Sequence, residues 1–412
     1  MDLQSNAWKY RWLLVTAGGL VMGAALGVRH VQGLFLQPVT IGHDWSREAF
    51  GFALAIQNLV WGLAQPFTGI IADRFGSARI VLFGAVAYAL GLLAMAYAGT
   101  PGQFTLGGGV LIGIALSGTG FGAIYGALSR IFPPEHRSWA LGVTGAIAGF
   151  GQFCMVPFAQ GMINGIGWMS ALLVLAALMV LMAPLAVFLR DGHSSHASEQ
   201  QDQSVGSAIR EAFRHRGFWL LNAGFLACGF QLAFIGAHLP AYLVDKGMDA
   251  KQAGASLAII ALANVIGTYV CGYVGGFMRR KYVLSVIYLV RALAMVLFWV
   301  LPLSPWSMYA FCFVFGLIWL GTVPLTSGLV SQIFGVKYIS TLFGFVFFGH
   351  QLGGFFGVWL GGRVFDATKS YDLLWIGAIA LGVISAALHW PINDRKVERP
   401  ASPVLGPLGT AA

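Results

Sequence analysis

Charge is what this chain of 412 residues has least of: Asp, Glu, Lys and Arg together make up 9% of it, against about a quarter in a soluble domain. So little polar surface cannot coat a globule of this size, which excludes a water-soluble fold. Acidic residues are scarcer than basic ones, 15 against 24, and all of them fall in loops or at the ends of apolar runs. No carboxylate is therefore expected at depth. Cysteine is sparse as well: Cys154, Cys228, Cys271 and Cys312 each sit alone in a different apolar segment, without a CxxC pair or a metal-ligand spacing. They read as small apolar packing residues. No two deep histidines stand at i, i+4, and no nucleophile and base pair is visible. Neither a metal, a cofactor nor an enzyme activity is expected.

What the chain has in abundance is apolar sequence, 58% of residues, and glycine, 56 residues. Glycine at about twice its usual share suits helices packed closely in a bilayer, and the alternating pattern of a membrane barrel is missing. A crossing takes about 20 apolar residues. Runs of that kind are expected near 12–39, 47–72, 79–98, 104–130, 139–163, 168–189, 217–243, 252–278, 281–301, 306–333, 338–362 and 372–391. The first follows Lys9 and Arg11 and is too long for a signal peptide's apolar core, so it reads as an uncleaved helix. The fold class expected is an all-α integral membrane protein of twelve transmembrane helices in two six-helix, pseudo-symmetric halves. The boundaries are 1–190 for the first half, 191–216 for a polar cytoplasmic linker, 217–391 for the second half and 392–412 for a disordered tail. The linker contains HSSHASEQQDQS and then an amphipathic stretch with Ile209 and Phe213; the tail is rich in Pro and Gly and has little to bury.

An even number of crossings puts both termini on one side, and the positive charges choose the side. With a cytoplasmic N-terminus, seventeen of the 24 Lys and Arg fall in inner segments, five in outer loops and two inside spans. This positive-inside imbalance accounts for the net charge of +9 without a nucleic-acid partner. The expected location is a plasma membrane, of the bacterial inner-membrane kind, with the lipid bilayer as surroundings and a monomer as the unit. Sliding the second half by 203 residues lays Ser46 on Asp249, both suited to cap a helix, and Leu54-Ala55-Ile56 on Leu257-Ala258-Ile259. The same register lays Gly69 on Gly272 and Asp73 on Gly276.

Between the second and third runs stands Gly69-Ile-Ile-Ala-Asp73-Arg74-Phe-Gly76, followed by Arg79. A carboxylate beside arginines in a tight glycine turn can hold one arrangement of neighbouring helices by charge-assisted bonds. With twelve spans and a polar central loop, the string resembles that of the major facilitator superfamily. The resemblance implies a conformational latch at Gly69, Asp73, Arg74, Gly76 and Arg79. The copy in the second half, Gly272 to Arg280, lacks the acid. Arg29-His30-Val31-Gln32-Gly33-Leu34-Phe35 and the stretch Arg137-Ser-Trp-Ala140-Leu-Gly142 resemble motifs of the monocarboxylate and oxalate/formate branch. That branch carries an Asp and an Arg one turn apart in span eight, where this chain has Asn264 and Thr268. Span five has no Gly-Pro pair, so the motif associated with drug exporters is absent.

The ionisable residues deep in the runs are Arg29, His30, Arg291 and His350, with His238 nearer an outer end. A charge at depth costs at least about 2.5 kcal/mol on insertion scales, which makes such residues functional by default. Two deep arginines without a buried acid point to an organic anion as the missing counter-charge, since a guanidinium holds a carboxylate bidentately. Arg29, sharing a helix face with Gln32, is either the substrate anchor or an arginine snorkelling outward. Arg291 either contacts substrate or bonds backbone carbonyls. His30, His350 and His238 are the candidates to carry a coupling proton, the alternative for each being packing. Tyr125, among the glycines of span four, could donate to a carboxylate or pack an interface. Gln57, Asn58 and Gln152 are further polar candidates, each read as a bond between helices ahead of a ligand. The function expected is secondary active transport of small organic anions, monocarboxylates foremost, with proton symport or anion exchange. Efflux of a drug-like or other metabolite, or a transporter-like membrane sensor, are the other readings.

Overall fold

The computed structural model describes residues 9–45, 47–190, 203–248 and 250–398, and every regular element among them is a helix. The caps expected at Ser46 and Asp249, most of the linker and the end of the tail lie outside these residues. Ten stretches are long and apolar enough to cross a membrane. One of them, Pro134–Leu189, is 56 residues long, more than two crossings need. It reverses at Gly167, whose φ of 82° and ψ of 162° interrupt the helix; a side chain would be strained there. Arg47–Phe75 adds a further helix of 29 residues, its apolar run broken by Gln57, Asn58 and Gln65.

The described residues thus hold twelve spans. They are span 1 (Arg11–Val31), span 2 (Arg47–Phe75), span 3 (Ser77–Ala96), span 4 (Pro101–Ile131), spans 5 and 6 (134–166 and 168–189), span 7 (Arg216–Asp245), span 8 (Ala250–Val274), span 9 (Arg280–Val300), span 10 (Pro305–Phe334), span 11 (Ile339–Thr368) and span 12 (Asp372–His389). All-helical construction satisfies each backbone group within its own segment, as hydrocarbon demands. Two spans depart from this. Span 4 breaks at Gly120, which is extended, and span 10 breaks at Ile318, between helices Pro305–Leu317 and Thr322–Phe334. The helical turns on either side of each break leave backbone groups that other side chains must meet.

Spans 3, 9 and 12 show the bilayer as solvent. Leu289, Leu293, Leu297 and Val300 of span 9 are exposed at helical spacing, while Tyr288, Arg291, Ala292, Met295 and Phe298 of the same helix are buried. Span 1 packs along span 5, and span 7 along span 11. The stripe Gly349, Gly353, Gly357 and Gly361 meets Asn222, Leu226 and Phe230, also at four-residue spacing, and then His238 two turns further on. Small residues at this seam let two backbones approach.

Two seams join the first six spans to the last six: span 2 against span 11, and span 5 against span 8. In the second, Gly142 and Gly272 touch backbone to backbone; a Cβ on Gly142 would stand 2.8 Å from the Gly272 Cα. Ser138 donates to Gly275 O at 3.1 Å beside them. Both seams gather toward the end of the bundle where span 1 starts and span 12 ends, called the terminal face below.

The described part of the linker is a helix, Val205–Arg214, whose N-cap Ser204 accepts from the Ser207 amide. Phe213 seats it against Phe218, Trp219 and Phe345 at ring distances of 5.2–5.6 Å. The start of the tail is held as well. Ile392 is fully buried, Lys281 donates to its carbonyl at 2.7 Å, and Val397 N donates to Ile333 O at 2.9 Å. Asp394 receives two bonds from Arg279, and the Gln332 amide donates to its carbonyl. The tail thereby brings an acid to the loop between spans 8 and 9, which has none of its own.

Hydrogen bonding from Arg279 holds the Asp394 carboxyl below the usual carboxylate range. A lowered folded-state pKa stabilises above the unfolded value near 4 and stops doing so as pH falls through the folded value. Asp394→Asn should therefore lower Tm at neutral pH, and the difference from the native chain should close below about pH 4. Gly272→Leu should wedge the seam of spans 5 and 8 apart and cost about 1–3 kcal/mol, the usual effect of overpacking. Thermal melting of the purified variant checks this, an unchanged Tm being the contrary result.

Candidate substrate site and the gate beneath it

Arg29 occupies the last turn of span 1. Its guanidinium donates to Asn58 Oδ1 and lies 5.2 Å from the centre of the Trp61 ring. Asn58 and Trp61 stand three residues apart and so share one face of span 2. The Trp61 indole is fixed in turn, donating to Gln65 Oε1 at 3.0 Å. It also packs beside the break in span 4, where a Cβ on Gly120 would meet it at 3.3 Å. Among the described residues no carboxylate pairs with Arg29, and its Nε has no partner. Gln32, in the 3-10 turn that continues span 1, is 2% exposed with both amide atoms unpartnered.

Trp61 leads across to the second half. Its ring is 4.9 Å from Phe347 of span 11, which is also 6.0 Å from Phe121 and stacks at 5.3 Å on His350. His350 packs 4.7 Å from Phe225 of span 7, its Nδ1 reaches Gln351 Oε1 at 3.1 Å, and its Nε2 is buried without a partner. Arg29, Trp61, Phe347 and His350 thus form one chain of contacts through the middle of the bundle. It runs past a broken helix, the feature that transporter binding sites share.

Arg291 is placed differently. It is fully buried, lies 5.5 Å from the Tyr288 ring, and gives its hydrogen bonds to the carbonyls of Ile318 and Trp319 and to Cys228 Sγ. Those carbonyls are orphaned by the break in span 10, and Asn264 meets the opposite need by accepting from Leu320 N at 3.0 Å. Arg291 thus bonds backbone carbonyls through its terminal nitrogens, while its Nε, like that of Arg29, has no partner. Tyr125 also lies apart from Arg29. It is fully buried, and a Cβ on Gly145 would come 2.6 Å from its hydroxyl, in the seam of spans 5 and 8. Its hydroxyl has no partner. His238 has both ring nitrogens engaged, by Val358 O at 3.0 Å and the Tyr371 hydroxyl at 3.4 Å. His30 is exposed at the end of span 1.

Below this site, toward the terminal face, spans 2, 4 and 11 converge on Asp73. Its carboxylate accepts from Arg130 at 2.5 Å, from the amides of Ser340 and Thr341 at 3.2 and 2.7 Å, and from the Thr341 hydroxyl at 2.7 Å. Ser340 and Thr341 open span 11, so Asp73 caps a helix of the other half, where a negative charge meets the positive end of the helix dipole. Arg130 also donates to Ser77 and Ser340. Gly69 and Gly344 permit this closeness; a Cβ on Gly69 would meet the Thr341 Cα at 2.8 Å. The arginine paired with Asp73 is Arg130, which lies outside the sequence motif. Arg74 lies over Phe75, and Arg79 faces a groove between spans 3 and 6. Gly76, with φ of 90°, makes the turn. Arg130 was overlooked because a basic residue at an inner span end reads as topology alone. On the other seam Arg280 donates to Ser138 at 2.7 Å and to Gln332 at 2.5 Å, so the second copy grips span 5 through a cation where the first grips span 11 through an acid.

The chain matches the family model described as the Major Facilitator Superfamily over residues 12–358. It is 26% identical to an uncharacterized MFS-type transporter, YcxA, of Bacillus subtilis (strain 168), over 88% of this chain and 90% of that protein. Monocarboxylate transporter 13 of Bos taurus is 24% identical over 97% and 94% of the two chains, and the oxalate:formate antiporter of Oxalobacter formigenes is 24% identical over 96% and 93%. Among solved structures, the major facilitator transporter FucP in its outward conformation superposes with a TM-score of 0.73 at 17% identity, covering 92% of this chain and 97% of that one. The twelve spans and the match across most of the length make this chain a multi-pass membrane transporter, not an enzyme, and it belongs to the Major Facilitator Superfamily.

Proposed function

We propose that this transporter carries small organic anions, monocarboxylates foremost, by alternating access around Arg29, with both termini in the cytoplasm. The observation that supports it is the state of Arg29: a cation inside the bundle, held by one neutral amide and one aromatic face, with Nε open and, among the described residues, no carboxylate paired with it. An anion supplies what is missing, and Gln32, with two unpartnered amide atoms, stands one turn further on to receive its remaining polar group. Two relatives named for monocarboxylates and for oxalate and formate agree with that charge. The positive residues gathered at the terminal face favour its cytoplasmic placement. On that placement the seams described above close the cytoplasmic side, and Asp73 is the latch that must release span 11 for the site to open inward. His350, whose Nε2 is unpartnered and which reaches Arg29 through Phe347 and Trp61, is the proposed carrier of a coupling proton.

Replacing Arg29 removes a charge-assisted contact of about 1.5–3 kcal/mol. Arg29→Gln should therefore raise the half-saturating concentration of lactate or formate in proteoliposome uptake by roughly ten- to a hundredfold; undiminished uptake would refute the anchor. His350→Gln should lose accumulation driven by an imposed pH gradient and keep exchange across equal pH. Accumulation at the native rate would remove His350 from the coupling.

A further inference from the structure

Arg79 is left without a use by the gate, and its surroundings point to one. Between spans 3 and 6, at the terminal face, lies a groove of about 750 Å3. Arg79 and Arg190 stand in its wall together with Phe75, Leu82, Val180 and Val187, and among the described residues no acidic one lines it. All six side chains are exposed, and the groove's floor is opened by the small residues Ala183 and Ala186. The apolar side chains continue along span 3 as the exposed row Leu82, Val86 and Leu90, so the groove opens toward hydrocarbon. Its two cations belong to the first turn of span 3 and the end of span 6, at headgroup depth. The occupant must therefore be amphiphilic, with an anion at one end and a hydrocarbon body. A water-borne anion would leave the apolar wall bare. The connecting segment that follows Arg190, DGHSSHASEQQD, has no large apolar side chain to fill it.

We propose that this groove binds one anionic phospholipid, its phosphate between Arg79 and Arg190 and an acyl chain along Leu82, Val180 and Val187. Two guanidinium groups suit a phosphate oxygen pair, and basic pockets between spanning helices are where anionic headgroups settle. The site is separate from Arg29. It touches the gate through the chain itself, because Phe75 and Gly76 in its wall directly follow Asp73 and Arg74, so a bound lipid braces the turn that carries the latch.

Native mass spectrometry of the purified chain, incubated with phosphatidylglycerol or phosphatidylcholine, tests this. The native chain should retain one more phosphatidylglycerol than the double variant Arg79→Gln, Arg190→Gln, with no such difference for phosphatidylcholine. Ala183→Trp, which fills the floor and keeps both arginines, should lose the same lipid, and phosphatidylglycerol should raise Tm in the native chain more than in either variant. Equal phosphatidylglycerol retention in all three chains would overturn the site. So would retention that begins only after proteolysis within residues 191–202, which would make the connecting segment the native occupant.

Discussion

A positive charge inside hydrocarbon has to be answered by something within reach, and this chain keeps its acids at the ends of its helices. That shortage organises the interior. Arg291 is answered by carbonyl groups freed where span 10 breaks, so the broken helix and the buried cation stabilise each other. Asn264 takes the amide of Leu320 on the same break. Arg29 has no such arrangement. An asparagine oxygen and the face of Trp61 soften the cost of its burial without cancelling the charge, and a guanidinium so placed favours any anion able to reach it.

The same scarcity puts weight on Asp73, the acid that the described residues show bridging the halves. Asp73 is fully buried at its side chain, yet it satisfies Arg130 and the first amides of span 11 together. A carboxylate with that many donors is stable only while span 11 stays in place, which ties a local cap to the relative position of two six-helix units. Removing one partner of such a buried pair costs about 3–5 kcal/mol, so separation of the seam needs water or new donors to enter as it opens. On the other seam the corresponding grip runs from Arg280 to Ser138, steadied by Gln332. Gln332 in turn holds the carbonyl of Asp394, so residues after span 12 are tied to the seam of spans 5 and 8.

Much of this was readable in advance, because apolar length and glycine spacing report directly on crossings and close seams. Each of the twelve runs overlaps an observed helix, though the first helix stops at Val31 rather than near 39 and span 11 continues to Thr368 rather than 362, and the stripe at Gly349, Gly353, Gly357 and Gly361 does mark a tight contact. What escaped reading depends on partners distant in sequence. Arg130 looks like any positive residue at an inner end until span 2 folds beside it. Asp394 sits in a tail whose composition argues for disorder, and only the exposed Arg279 and the amide of Gln332 give it a place. His389, at the end of its run, is nevertheless fully buried against Tyr288. The use of Arg291 turns on the break before Thr322, which Gly321 and Pro324 mark in the sequence, but only folding brings Arg291 to the carbonyls of Ile318 and Trp319 there.

In the proposed function the charge of the cargo answers the charge of Arg29. Calorimetric titration of the purified transporter with lactate and with lactamide, which has the same shape but no carboxylate, measures that directly. Lactate should bind at least about tenfold more tightly than its amide, the difference of one charge-assisted hydrogen bond. Equal affinity for the two would contradict the account.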